Sequence, residues 1–98
     1  MIGVGATLTL LASYYGIGFH GRLTANGETF NKHSSTAAHK TLPFNTRLRV
    51  CFKGCEVVRI NDRGPFIHGR DLDLSEGTAR RIGLLHSGIG NVTVTRLN

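Results

Sequence analysis

Two aspartates carry the clearest chemical signal in this chain. Asp62 follows the run Val57-Val58-Arg59-Ile60 and precedes Gly64-Pro65. β-Branched residues favour a strand, while a glycine free of φ restriction and a proline without an N–H end one. The strand is therefore expected to stop near Asn61, with Asp62 where the chain leaves the sheet, the kind of position from which a rigid scaffold presents reactive groups. Asp73 stands between Leu72 and Leu74. In such a half-buried setting a carboxylate must find hydrogen bonds or hold its proton to higher pH. Brought together, two such groups can do general acid–base work. From spacing alone a structural alternative stays open, in which Asp62 accepts from turn amides and Asp73 is an acceptor ahead of a helix opened by Ser75.

Other side chains could join them. Glu28 begins a new segment directly after an Asn26-Gly27 turn, and taken alone it reads as a solvated surface charge. His39 lies among small residues ahead of a turn at Pro43, in a stretch expected to hold one helical turn at most. Its imidazole could orient a carboxylate, bond a sugar hydroxyl or serve as a satisfied structural group. Tyr14, Tyr15 and Phe19 flank the glycine-rich turn Gly16–Gly21. They form either a platform for stacking a sugar ring or part of the core.

The elements that must position these groups are short. Ninety-eight residues with 40% hydrophobic content make one domain, 1–98, with a modest core. Thirteen glycines and apolar segments mostly too brief for helices favour an all-β fold with tight turns. Strands are expected over Leu8–Tyr15 and Asn91–Leu97. One α-helix is expected over Ser75–Leu84, with Ser75 as N-cap, Glu76 and Arg80-Arg81 matching the helix dipole, Ala79 and Ile82 inward, and Gly83 as the stop. Alternation on either side of Cys51-Phe52-Lys53-Gly54-Cys55 predicts a hairpin with the cysteines opposed across its end, as a disulfide or as two thiols.

A formal charge of +6, from 12 Lys plus Arg against 6 Asp plus Glu, implies anionic surroundings. The basic residues are scattered, only Arg80 and Arg81 being adjacent, and no nucleic-acid-binding pattern is present, so nucleic acid is not expected as a partner. Five histidines without ligand spacing predict no metal. The apolar run Met1–Ala12 lacks a basic segment and is too short to span a bilayer. It reads as an entry into the first strand, or as what remains of a secretion signal.

Several longer segments, in order, carry a resemblance. Ala12-Ser13-Tyr14-Tyr15-Gly16, Phe19-His20-Gly21-Arg22, Thr24-Ala25-Asn26-Gly27-Glu28, Thr36-Ala37-Ala38-His39-Lys40-Thr41-Leu42-Pro43-Phe44 and Arg59-Ile60-Asn61-Asp62-Arg63-Gly64-Pro65-Phe66 through Asp73-Leu74-Ser75 resemble the rare lipoprotein A (RlpA) family over about residues 12 to 97. The resemblance implies a six-stranded double-psi β-barrel with one short helix. The implied activity is that of a lytic transglycosylase, cutting the β-1,4 bond between N-acetylmuramic acid and N-acetylglucosamine in peptide-poor peptidoglycan strands and leaving a 1,6-anhydro end without adding water. No cofactor is implied, and an exported monomer, periplasmic or wall-associated, is. Export in turn favours the Cys51–Cys55 disulfide.

By motif, Asp62 and Glu28 match the family's catalytic pair and His39 an active-site residue, while Asp73 resembles a second acid used by related barrels such as the expansins. The acid/base role is expected of Asp62, with Asp73 in reserve. An Arg63–Asp62 ion pair would count against that assignment. Glu28 would stabilise positive charge or orient the sugar, and His39 would bond the substrate or Asp62. Substrate contacts are expected from Tyr14, Tyr15, Phe19, His20, Thr24 and Arg63. These 98 residues contain neither a lipobox cysteine nor a septal peptidoglycan-binding segment, so anchoring and septal targeting are not carried over. The short cysteine hairpin stands where a longer loop is expected in many members. The alternatives are a non-catalytic glycan-binding or wall-loosening module, as in expansins, and an inhibitor on a similar barrel, as in barwin-like proteins.

Overall fold

The computed structural model describes residues 2–98; Met1 of the apolar N-terminal run lies outside the described residues. Six strands run β1 (Thr7–Tyr15), β2 (Thr36–His39), β3 (Arg47–Cys51), β4 (Cys55–Asp62), β5 (Leu72–Ser75) and β6 (Ile89–Arg96), with α1 (Glu76–Ile82) between the last two. They close into a barrel in the order β1-β5-β2-β4-β3-β6. Two pairs are parallel, β1 with β5 and β2 with β4, and the rest are antiparallel. This is the six-stranded barrel with one short helix that the resemblance implied.

Alternation explains the core. Leu10 and Ala12 of β1, Leu48 and Val50 of β3, Val58 and Ile60 of β4, Leu72 and Leu74 of β5, and Val92 and Val94 of β6 are buried at every second position, so these five strands each give one face to the interior. The helix closes one side with Ala79 and Ile82 fully buried. Its N-cap is Ser75, whose side chain accepts from the Thr78 amide, and it ends at Gly83 with φ 85°.

The predicted hairpin forms, with Cys51 opposite Cys55 and the two joined as a disulfide. Its tip has a second task, because the Lys53 and Gly54 amides both donate to the Ile82 carbonyl (3.0 and 3.1 Å). Carbonyls at a helix end lack partners within the helix. The hairpin thus caps α1. The segment from Ser34 to Phe44 holds the strand β2 rather than any helical turn.

Candidate active site

The strand register sets Asp73 and Asp62 at one mouth of the barrel. Ser13 of β1 pairs with Asp73 of β5, Asp73 with Ala38 of β2, and Ala38 with Asp62 of β4. These four residues form one row across four neighbouring strands, with the small Ala38 as the floor between the two acids. Two strand spacings separate the acids' backbones, roughly 10 Å.

An irregularity in β2–β4 pairing brings Asp62 into that row. On β4 the core face carries Val58 and Ile60, so simple alternation would turn Asp62 inward. Ala37 pairs with Ile60 but Ala38 with Asp62, a register shift that skips Asn61. A bulge of this kind re-aims the side chains beyond it. Asp62 consequently joins Asp73 and Ser13 in a cavity of about 280 Å³, lined also by Tyr14, Tyr15, Phe19, Ala38, Arg63, Gly64, Pro65, Phe66, Ile67 and Arg70.

The two acids are held differently. Asp62 Oδ1 accepts from the Ala25 and Arg63 amides, each at 2.9 Å, and Oδ2 accepts from the Tyr15 hydroxyl at 3.1 Å. Tyr15 is itself fixed by stacking on Phe30 (4.5 Å between ring centroids) and by an edge contact with Phe19 (5.5 Å). Its phenol pKa is raised, by burial first and then by the Asp62 charge, so it stays a hydrogen-bond donor. Asp73 receives one side-chain bond, from the Ser13 hydroxyl at 3.1 Å. Burial pushes the Asp73 carboxyl up to about 6, with Asp62 adding to the rise and Ser13 and Arg70 opposing it.

Arg63 lines the cavity without forming an ion pair with Asp62. Its guanidinium donates to the carbonyls of Leu42 (2.9 Å) and His39 (3.3 Å) and lies 4.0 Å from the centre of the Phe44 ring. The condition that would have counted against acid–base work at Asp62 is therefore not met.

Other expected site residues lie elsewhere. Glu28 is outside the cavity and forms a two-pronged ion pair with Arg59 (2.6 and 2.8 Å), with further bonds from Asn26 and Asn61. Arg59 and Asn61, two apart on β4, both bond Glu28, whereas Asp62 bonds Tyr15 and the Ala25 and Arg63 amides, and no hydrogen bond joins Glu28 to Asp62. The hydrogen bonds of Arg59, followed by those of Asn26 and Asn61, outweigh partial desolvation and hold the Glu28 carboxyl down at about 2. His39 Nδ1 accepts from the Thr41 and Leu42 amides (3.1 and 3.0 Å), which fixes the turn that Arg63 grips. Its pKa is lowered, by burial first and then by Arg63.

Thr24 is buried outside the cavity, bonded to Asn26 and to the Glu28 carbonyl. The exposed His20 accepts the Lys32 amide through Nδ1. Tyr14 packs against the core and also faces the cavity. The rim holds residues the sequence reading passed over. Phe66 is 82% exposed and Ile67 57% exposed, and Phe19, which lines the same cavity, is 48% exposed. Two large apolar side chains in a glycine-punctuated polar turn were the available signal. A second cavity of about 300 Å³, lined by Tyr14, Tyr15, Gly16, Ile17, Phe19 and Glu76, shares its aromatic wall with the first. Among the described residues no His, Cys, Asp and Glu cluster is placed to hold a metal ion, and no helix is long and apolar enough to cross a membrane.

A small closed six-stranded barrel of mixed strands with one short helix defines a double-psi barrel. The sequence matches the family described as "Lytic transglycolase" over residues 7–94, and the chain belongs to that family. It is 60% identical over 87 residues to the probable endolytic peptidoglycan transglycosylase RlpA of Synechocystis sp., covering 86% of this chain and 27% of that one. It is 50% identical over 95 residues to the endolytic peptidoglycan transglycosylase RlpA of Campylobacter jejuni, covering 94% and 34%. The chain thus spans about a quarter to a third of the length of these curated relatives.

Among solved structures, the Streptomyces papain inhibitor superposes with a TM-score of 0.79 at 20% identity over the full length of both chains. The Clavibacter michiganensis expansin superposes with a TM-score of 0.77 at 20% identity, over 95% of this chain and 51% of that one. At such identities these two likenesses speak for the fold alone.

Proposed function

We propose that residues 1–98 form a single lytic transglycosylase domain. It cuts peptide-poor peptidoglycan strands within the chain, at the β-1,4 bond between N-acetylmuramic acid and N-acetylglucosamine. The observation that carries this reading is the row Ser13–Asp73–Ala38–Asp62, which brings two acids to one cleft. The names of the relatives at 50–60% identity support it. So does the groove made by two cavities sharing Tyr14, Tyr15 and Phe19, because a polymer needs an extended seat and aromatic faces suit sugar rings. An exported enzyme at the cell wall follows from the same reading.

In this reading the acid/base role passes from Asp62 to Asp73. A general acid works best with a pKa near the working pH, and Asp73, raised to about 6, meets that need. Its proton goes to the glycosidic oxygen as the C1–O bond breaks. The sugar's own C6 hydroxyl oxygen then closes on C1, and the Asp73 carboxylate takes the C6 hydroxyl proton back, so no water is consumed. Asp62, oriented by Tyr15, Ala25 and Arg63, faces the positive charge that builds at C1. Glu28 acts one step away, bracing the Thr24–Glu28 loop that donates the Ala25 amide to Asp62. His39 braces the turn under Arg63.

The test is to incubate the protein with peptide-free glycan strands and identify chain ends by mass spectrometry. 1,6-Anhydro ends support the reading. Reducing ends would mean hydrolysis, and intact strands that still bind would mean a non-catalytic module of the expansin kind.

A further inference from the structure

The cleft holds two arginines, and of their guanidinium groups only that of Arg63 has hydrogen-bond partners. Arg63 spends its guanidinium on carbonyls and on Phe44. Arg70 lines the same cavity, half-buried. Among the described residues the ion pairs are made by Lys32, Arg59, Arg80 and Arg81, and the Arg70 guanidinium has no hydrogen-bond partner. Its backbone, by contrast, is fixed. The Arg70 amide closes a turn on the Ile67 carbonyl (3.2 Å), Gly69 supplies the left-handed residue (φ 86°), and Lys40 Nζ donates to the Arg70 carbonyl (2.8 Å). A cation held at the wall of a cleft with its fork unused is suited to an anion brought by the ligand.

We propose that Arg70 is a carboxylate subsite, taking the free lactyl carboxylate of a muramic acid residue seated beside Asp73. This rests on the glycan reading above. A planar guanidinium matches a carboxylate with two parallel hydrogen bonds. In a strand of alternating sugars only the muramic acid carries such a group, and only while no peptide is joined to it, since amide formation removes the charge. One contact therefore does two things. It favours strands without stem peptides, and it fixes which of the two alternating sugars lies next to the acid.

Stem peptides carry carboxylates of their own, so the test must separate the two sources. Binding is measured by calorimetry in an Asp62→Asn background with three oligosaccharides: peptide-free, peptide-free with the lactyl carboxylate reduced to an alcohol, and peptide-bearing. With Arg70 present, the peptide-free form is expected to bind about tenfold tighter than the reduced form, the scale of a charge-assisted hydrogen bond. Arg70→Gln is expected to bring that ratio close to one. Arg70→Lys keeps the charge but loses the fork, so it gives an intermediate ratio and stands in if the glutamine variant does not fold.

A ratio near one with Arg70 present overturns the proposal, as does a ratio that Arg70→Gln leaves in place or an absence of binding to all three. Tightest binding of the peptide-bearing form, lost in Arg70→Gln, would move the carboxylate to the stem peptide and overturn the lactyl assignment. Carboxylate-dependent binding without anhydro ends from the unsubstituted protein would sink transglycosylation while leaving Arg70 its ligand.

Discussion

The end of β4 separates two acidic environments that differ in how the charge is met. On one side of this contrast Glu28 has a guanidinium in bidentate contact and two amide side chains around it. On the other, Asp73 has burial, one serine hydroxyl and a second acid along the row. The first arrangement satisfies a carboxylate and makes it a structural tie. The second leaves a carboxyl that holds its proton up to about 6, which is the property a proton donor needs. In the proposed reading, acids of nearly the same intrinsic strength are sorted into brace and reagent by what stands beside them.

The comparison can be broken most severely at Asp73. Asp73→Asn removes the transferable proton and is expected to lower turnover of glycan strands by about 100- to 10,000-fold, read from the rate at which anhydro ends appear. Ala38→Leu would fill the floor between the two acids and displace the sugar. A loss of about 100-fold is expected in the same assay, since small misplacements at a reacting centre have effects of that size.

Stability should move the opposite way from activity in Asp73→Asn. A folded pKa above the unfolded value of 3.8 favours the fold below about pH 4, and that contribution is lost as pH rises through about 6. Above pH 6 the asparagine variant escapes the cost of ionising a buried group. It should be more stable than the parent at pH 8 by roughly 2 kcal/mol and close to it at pH 4, as measured by urea unfolding at the two pH values.

Tyr15→Phe keeps the stack on Phe30 and deletes the bond to Asp62, so about a tenfold fall in kcat/KM is expected with little change in Tm. The smallest effect belongs to the brace. Glu28→Gln weakens a pair whose carboxylate side chain is 37% exposed, which limits the loss to about 1 kcal/mol by urea unfolding. The sign is the reverse of that for Asp73. The contribution of Glu28 is present above its unfolded value of 4.5 and lost as pH falls toward about 2.

Much of this arrangement could be read from the chain because it was local. β-Branched residues ahead of Gly64-Pro65 marked the exit of β4, and Ser75 with Gly83 bounded α1. The cysteine hairpin was legible for the same reason, its two strands being joined by three residues. β2 was not, because Thr36-Ala37-Ala38-His39 is four residues long with one β-branched member, and its extended form comes from neighbours on both sides. The register shift at Ala37/Ala38 also lies beyond local reading, as it depends on how β2 meets β4.

That shift decides which acids meet. By motif Asp62 was matched with Glu28, and in the folded chain Arg59, thirty-one residues from Glu28, is the residue that holds the glutamate. The rim residues Phe66 and Ile67 and the unpaired Arg70 were hidden for another reason. Exposure and the lack of a partner belong to the folded surface and leave no periodic trace in sequence.

The claim that one acid is a reagent and the other a brace is tested most directly by carboxyl-carbon NMR titration of the intact protein. The account predicts a midpoint near 6 for Asp73 and one near 2 for Glu28. If Asp73 titrates at its ordinary value near 3.8, its proton is already lost well below pH 6 and the assignment of Asp73 as acid is wrong.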